Sequence, residues 1–204
     1  FVMFRIPLPL TVMQILAVDL GTDLIPALGL GTEPPEPGIM DKPPRPRNKR
    51  LIDAPLLLRA YCFLGLIEAG ACMTAFFFIY QQSGWVPGME MADSGTIYIT
   101  ATTMTLAGIV ASQIGNVFAC RTERESVFKV GFLRNRLVLV GIAVELAILA
   151  ALIYVPPLQQ LFGLAPIGWR EWVFLLIFPP TLLLLEEGRK WVVRKNMVLQ
   201  RKDS

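Results

Sequence analysis

The sequence predicts an all-α protein, a polytopic bundle of about five transmembrane helices in a single membrane domain over residues 1–204. Hydrophobic residues make up 54% of the chain, and they are gathered in long runs. Several of these runs reach the roughly 20 mostly apolar residues that a membrane-spanning helix needs. Basic residues are concentrated between alternate runs, which is typical of the cytoplasmic loops of membrane proteins.

Five segments meet the length requirement, and the predicted helices are, in chain order, 9–31, 55–80, 97–120, 132–154 and 169–188. Most of the basic residues, 16 of 19, fall in three stretches: a Pro-rich loop over 32–54, a loop over 121–136 and a tail over 189–204. The positive-inside rule places these stretches in the cytoplasm. The N-terminus is therefore predicted to lie outside and the C-terminus in the cytoplasm.

The first segment carries two acids, Asp19 and Asp23, one helical turn apart near its midpoint. An acid at the centre of a spanning helix costs about 2.5–3.5 kcal/mol on insertion scales, so such residues usually mark an ion site or pathway. Thr22 shares their face, since positions i, i+3 and i+4 of a helix coincide. Pro26 has no N–H, which leaves the Thr22 carbonyl without its helical donor, and Gly21 adds backbone freedom. We predict an unwound helix with oxygen ligands for a hard cation; the alternative is a pair of acids satisfied by basic partners.

The third and fourth segments supply further candidates. Gln113 and Asn116, spaced i and i+3, present amide oxygens on one face of the third segment. Ion coordination and helix–helix hydrogen bonding are equal alternatives for them. Glu145 is the single acid of the fourth segment, and it is either a ligand or proton carrier or a satisfied structural acid.

Acids of the second and fifth segments are weaker candidates. Glu68 is a lone acid of the second segment. Glu186 and Glu187 precede Arg189 and Lys190 at the membrane edge. Such pairs usually form only a solvated helix end, so no site is predicted there.

The composition excludes several classes of protein. Histidine is absent, which removes the commonest metal ligand and the usual base of a catalytic triad. The three cysteines show no metal-binding spacing. The net charge of +3 follows from the topogenic loops and calls for no nucleic-acid partner, although a basic patch at 43–50 leaves that as a minor alternative. The start at Phe1 leads us to expect a fragment.

The run from Val18 to Asp23, followed by Pro26, closely resembles the sixth transmembrane helix of the P-type cation-transporting ATPases. The stretch 33–45 is similar to the loop that follows that helix in the family, and 121–128 is similar to the loop between the eighth and ninth helices of the sodium/potassium pumps. The resemblance covers nearly the whole chain, in order.

This resemblance implies that the five segments correspond to helices six to ten of a pump. The implied cation ligands are Asp19, Thr22, Asp23, Gln113, Asn116 and Glu145. Sodium, potassium, calcium or a proton would be the transported ion; Asp19 favours the sodium/potassium type, whereas the amide pair leaves the ion open. No cofactor is expected on this chain, because ATP and magnesium bind in the family's phosphorylation and nucleotide-binding domains.

The chain alone is therefore expected not to be catalytic. The expected partners are membrane lipid and the remainder of the pump, meaning the phosphorylation domain and the first five helices, or a larger membrane complex. The expected location is the plasma membrane. The alternative is a stand-alone, non-catalytic scaffold or accessory subunit homologous to this region, and a passive cation channel is a weaker third possibility.

Overall fold

The computed structural model describes residues 6–35, 40, 44, 52–122 and 125–200, with side chains to residue 195. All regular secondary structure in these ranges is helical, which confirms the predicted fold class. The helices are α1 (Val12–Gly31), α2 (Ala54–Gln82), α3 (Gly95–Cys120), α4 (Val127–Val130), α5 (Arg136–Tyr154), α6 (Pro156–Phe162), α7 (Trp169–Leu175) and α8 (Phe178–Gln200).

Four helices of the described part of the chain, α1, α2, α3 and α5, are long and apolar enough to cross a membrane. They match the first four predicted segments within a few residues. The fifth predicted segment, 169–188, is instead divided between α7 and α8. Pro179 and Pro180 explain the break, because neither can donate a backbone hydrogen bond to the preceding turn.

Helix α1 widens at the predicted cation motif. Residues Val18–Thr22 form a π-helical turn, and the Asp23 amide donates to the Val18 carbonyl, five residues earlier, at 3.1 Å. The predicted unwinding is therefore a single wide turn inside a continuous helix. Such π turns are rare in proteins, and those that do occur are often found at functional sites.

Glycines set the closest helix crossings. At Gly141 of α5, an added Cβ would lie 3.0 Å from the Pro26 Cα of α1. At Gly115 of α3, it would lie 2.6 Å from the Pro179 carbonyl oxygen of α8. Small residues at these points let the helix backbones approach, as in other membrane bundles. In the α1–α5 and α3–α8 contacts, the backbone of one helix therefore packs directly against the backbone of the other.

Helix α3 lies at the centre of the bundle, and its polar face is turned inward. The side chains of Thr102, Thr103 and Ser112 are almost fully buried. The Thr102 hydroxyl accepts a hydrogen bond from the buried Gln14 amide of α1 at 3.1 Å. The Thr103 hydroxyl accepts one from the Ala165 backbone at 2.9 Å. The polar face therefore joins α3 to its neighbours.

Parts of the predicted loops lie outside the described residues, namely 36–39, 41–43, 45–51, 123–124 and 201–204. Most of the Pro-rich loop over 32–54, including the minor nucleic-acid patch at 43–50, and the end of the tail fall there. The orientation of the bundle across the membrane stays a prediction.

Candidate cation-binding site

The three predicted ligands of α1 do not share one environment, although their spacing predicted a common face. Thr22 is 1% exposed, and its hydroxyl donates to the Val18 carbonyl at 3.1 Å. Asp19 and Asp23 are exposed on the surface of this chain. The π turn thus places one ligand inside the bundle and two carboxylates on a face that the described residues leave open.

A cavity of about 130 Å³ between α1 and α3 brings three of the predicted residues together. Its lining is Asp23, Pro26, Ala27, Leu30, Gln113, Asn116, Val117 and Cys120. This volume is large enough for more than one water molecule, since about 10–15 Å³ of such space accommodates one water. We refer to it below as the α1–α3 cavity.

The polar atoms of the α1–α3 cavity are not all satisfied. The Gln113 Oε1 atom is buried and has no hydrogen-bond partner. Among the described residues, the Asn116 Oδ1 atom accepts only the weak thiol donor of Cys120, at 3.3 Å. Together with the Asp23 carboxylate, the cavity offers hard oxygen ligands and no basic side chain. This donor set suits a hard cation.

Glu145 lies on α5 and does not line the α1–α3 cavity. It is fully buried, and both of its carboxylate oxygens lack a hydrogen-bond donor. Its helix is pinned against α1 on either side of it, at Gly141 beside Pro26 and at Ile148, 3.7 Å from a Cβ added at Gly21. Glu145 therefore faces α1 near the π turn. Buried carboxylates without partners are rare in folded proteins, and each requires an explanation.

Glu68, the weaker candidate on α2, is half-buried and does not line the α1–α3 cavity. No group of three His, Cys, Asp or Glu residues in the described ranges could hold a metal ion. The candidate ligands are thus a mixed set of carboxylate, amide and backbone carbonyl oxygens, not a cluster of acids.

The prediction of a solvated helix end at α8 is wrong for Glu186 and Lys190, because both are fully buried. The crossing of α8 over α3 carries these residues onto the end of α3 instead of into solvent. The Glu186 carboxylate pairs with Arg59 of α2 at 2.5 Å and with Arg189 at 2.7 Å. The Lys190 ammonium donates to the Ala119 carbonyl (3.0 Å), the Thr122 hydroxyl (2.9 Å) and Glu187 (3.1 Å).

A second polar cluster was not predicted at all. It consists of Glu33, just beyond α1, Arg121 at the end of α3 and Asn135 at the start of α5; we refer to it as the polar clamp. Burial alone would raise the pKa of Glu33, but the hydrogen bonds from Arg121 and Asn135 and the charge of Arg121 hold that pKa below its ordinary value. The only sequence signal was the basic loop containing Arg121, which the positive-inside rule had explained.

Comparison with known proteins identifies the family. A sequence model described as "Cation transporting ATPase, C-terminus" matches residues 7–192. The chain belongs to this family of cation-transporting ATPases. As a member with four apolar helices of spanning length, it is an integral membrane protein.

Similar members of this ATPase family include pumps for different ions. The chain is 30% identical to a sodium/potassium-transporting ATPase subunit alpha of Drosophila melanogaster, over 96% of this chain and 21% of that protein. It is also 30% identical to the sodium/potassium-transporting ATPase subunit alpha-3 of Homo sapiens, over 96% of this chain and 22% of that protein. It is 33% identical to calcium-transporting ATPase 1 of Schizosaccharomyces pombe, over 96% and 20%. The chain thus spans about a fifth of the length of these relatives.

Proposed function

We propose that this chain is the C-terminal membrane part of an ATP-driven cation pump and supplies part of its transmembrane cation-binding site. The observation that supports this most directly is the α1–α3 cavity, where Asp23, Gln113 and Asn116 converge without a basic partner. The buried, unpartnered Glu145 on α5 supports a further cation or proton position beside α1. Thr22, which is buried in the bundle, would contribute its backbone carbonyl.

The open face of α1 supports a role for the rest of the polypeptide. Asp19 and Asp23 are exposed on this chain, and a carboxylate facing lipid at mid-membrane costs about 2.5–3.5 kcal/mol. We expect further helices of the pump, or a partner chain, to cover this face and complete the ligand set. The phosphorylation and ATP chemistry would lie in that remainder, so this chain alone would not be catalytic.

We expect the transported ion to be a hard cation, because every proposed ligand is an oxygen. Asp19 favours the sodium/potassium type among pumps of this family, while the amides Gln113 and Asn116 are compatible with several ions. We propose the plasma membrane as the location, with the polar clamp and the basic loops on the cytoplasmic side.

The test compares Asp23→Asn with Asp93→Asn in the full-length polypeptide. Both changes remove one carboxylate charge, but Asp93 lies exposed in the loop before α3. Loss of a direct charged ligand should raise the half-activating cation concentration for ATP hydrolysis by roughly tenfold or more. The control should stay within about twofold, since isolated exposed charges contribute little.

Equal effects of the two substitutions would remove the case for a site at Asp23. If no form of the full-length polypeptide hydrolyses ATP in response to any alkali or alkaline-earth cation, the stand-alone scaffold becomes the better explanation.

A further inference from the structure

The polar clamp joins the three helices that carry the proposed ligands. Glu33 follows α1, which carries Asp23; Arg121 follows α3, which carries Gln113; and Asn135 precedes α5, which carries Glu145. Arg121 and Glu33 are separated by 88 positions in the sequence. A single group of side chains therefore links all three ligand-bearing helices at one end.

Arg121 is the centre of the polar clamp. Its side chain is fully buried. The guanidinium binds the Glu33 carboxylate with two parallel hydrogen bonds, Nε to Oε2 at 3.0 Å and Nη2 to Oε1 at 2.9 Å. The Nη1 atom donates to the carbonyls of Gly131 and Phe132, both at 3.0 Å. Bidentate arginine–carboxylate pairs fix orientation as well as distance.

Asn135 completes the link to α5. Its Nδ2 atom donates to the Gly29 carbonyl of α1 at 3.0 Å and to Glu33 Oε2 at 2.9 Å. Its Oδ1 atom accepts the Leu137 amide at 3.0 Å, which caps the start of α5. One side chain thus closes the end of α1 and the beginning of α5 at the same time.

The polar clamp is close to the α1–α3 cavity. Asn116 lies five residues before Arg121, or about 7.5 Å along the helix, and Leu30, another lining residue, lies three residues before Glu33. The end of α3 is also held by Lys190 and by the Gly115–Pro179 contact with α8. Loss of the clamp would therefore leave α3 anchored in the bundle and would release mainly the spacing of α1 against α3.

We propose that Arg121 is a positioning residue for the cation site: through Glu33 and Asn135 it fixes the separation of α1 and α3 on which the cavity between Asp23 and Gln113 depends. This inference rests on the proposed function. Arg121 does not touch the ion; it acts by holding the helices that do.

The experiment measures cation-activated ATP hydrolysis of the full-length polypeptide carrying Arg121→Gln. We expect the half-activating cation concentration to rise by roughly 2- to 30-fold, the range seen when residues between coupled sites are changed, while the maximal rate at saturating cation stays near that of the wild type. Arg136→Gln is the matched control, because Arg136 is an exposed arginine at the start of α5 and its loss should leave both quantities unchanged.

Two further variants separate positioning from charge and from folding. Arg121→Lys keeps the charge but cannot form the bidentate pair, so it should shift the half-activating concentration in the same direction as the glutamine variant. Wild-type behaviour of Arg121→Lys beside a shifted Arg121→Gln would indicate a simple charge effect and overturn the proposal. If Arg121→Gln does not fold, Glu33→Gln decides, and an unchanged half-activating concentration in it overturns the proposal.

The failure of this inference differs from failure of the proposed function. If the half-activating cation concentration rises in Asp23→Asn but not in Arg121→Gln, only the positioning role is refuted. If it is unchanged in Asp23→Asn, the cation site is refuted, and the positioning role with it.

Discussion

Replacing Gly141 with alanine should disturb the proposed cation site from a helix that contributes no lining residue to the α1–α3 cavity. The added methyl group would lie 3.0 Å from the Pro26 Cα and 3.1 Å from the Pro26 nitrogen, whereas comfortable carbon contacts are about 3.5–4.0 Å. Helix α1 must therefore give way by a few tenths of an ångström. Because Pro26 itself lines the cavity, this movement changes the space beside Asp23.

The energetic terms oppose each other. Alanine in a helix interior is favoured over glycine by about 0.8–1 kcal/mol, while overpacking a well-packed contact costs about 1–3 kcal/mol. The net change in stability is destabilising by roughly 0–2 kcal/mol, so the protein should still fold. The change in the cation dependence of ATP hydrolysis should therefore be measurable in a protein that still folds.

The assay measures thermal inactivation and the cation dependence of ATP hydrolysis in the full-length polypeptide. Gly70→Ala in α2 is the matched control, because an added Cβ there has no atom within 4 Å. The control should be neutral or slightly stabilising. If Gly141→Ala gave the wild-type cation dependence and the wild-type inactivation temperature, the close α1–α5 contact would not determine the site, and our account of the cavity would be wrong.

Two further predictions concern ionisable groups. Glu145→Gln should fold normally, since it removes only an unpartnered charge, but it should lower the apparent cation affinity or alter its pH dependence; identical activation curves would contradict a ligand role. The lowered pKa of Glu33 means that its stabilising contribution is complete at neutral pH and is lost as the pH falls through that pKa. Acid should therefore reduce the inactivation temperature of the wild type more than that of Glu33→Gln, and equal losses would show that the carboxylate contributes nothing.

The local features of the chain could be predicted because they depend on short-range patterns. The runs of apolar residues gave α1, α2, α3 and α5 within a few residues, since length and hydropathy decide a spanning helix. The spacing of Gln113 and Asn116 placed both on one face, and both line the cavity. The irregularity at Gly21 and Pro26 was also visible, although its form, a π turn, was not.

The features that depend on tertiary contacts could not be predicted. The Arg121–Glu33 pair joins residues 88 positions apart, and either residue alone fits an exposed loop. Glu186 and Lys190 form a plausible solvated end until the crossing of α8 over α3 buries them. The division of the fifth segment was visible in Pro179 and Pro180, but the apolar run around them outweighed that signal.

The distribution of partnered and unpartnered charges supports the proposed function in a way that no single residue does. In the described part of the chain, the buried cations Arg121 and Lys190 each have a permanent carboxylate partner near a helix end. The buried acid Glu145, well inside α5, has none. A permanent basic partner would stabilise such an acid, but it would also satisfy the charge that a transported ion must satisfy. A carboxylate that is buried, lacks a partner and lies beside a widened helical turn is suited to a partner that arrives and leaves, which is the requirement for a site in a pump.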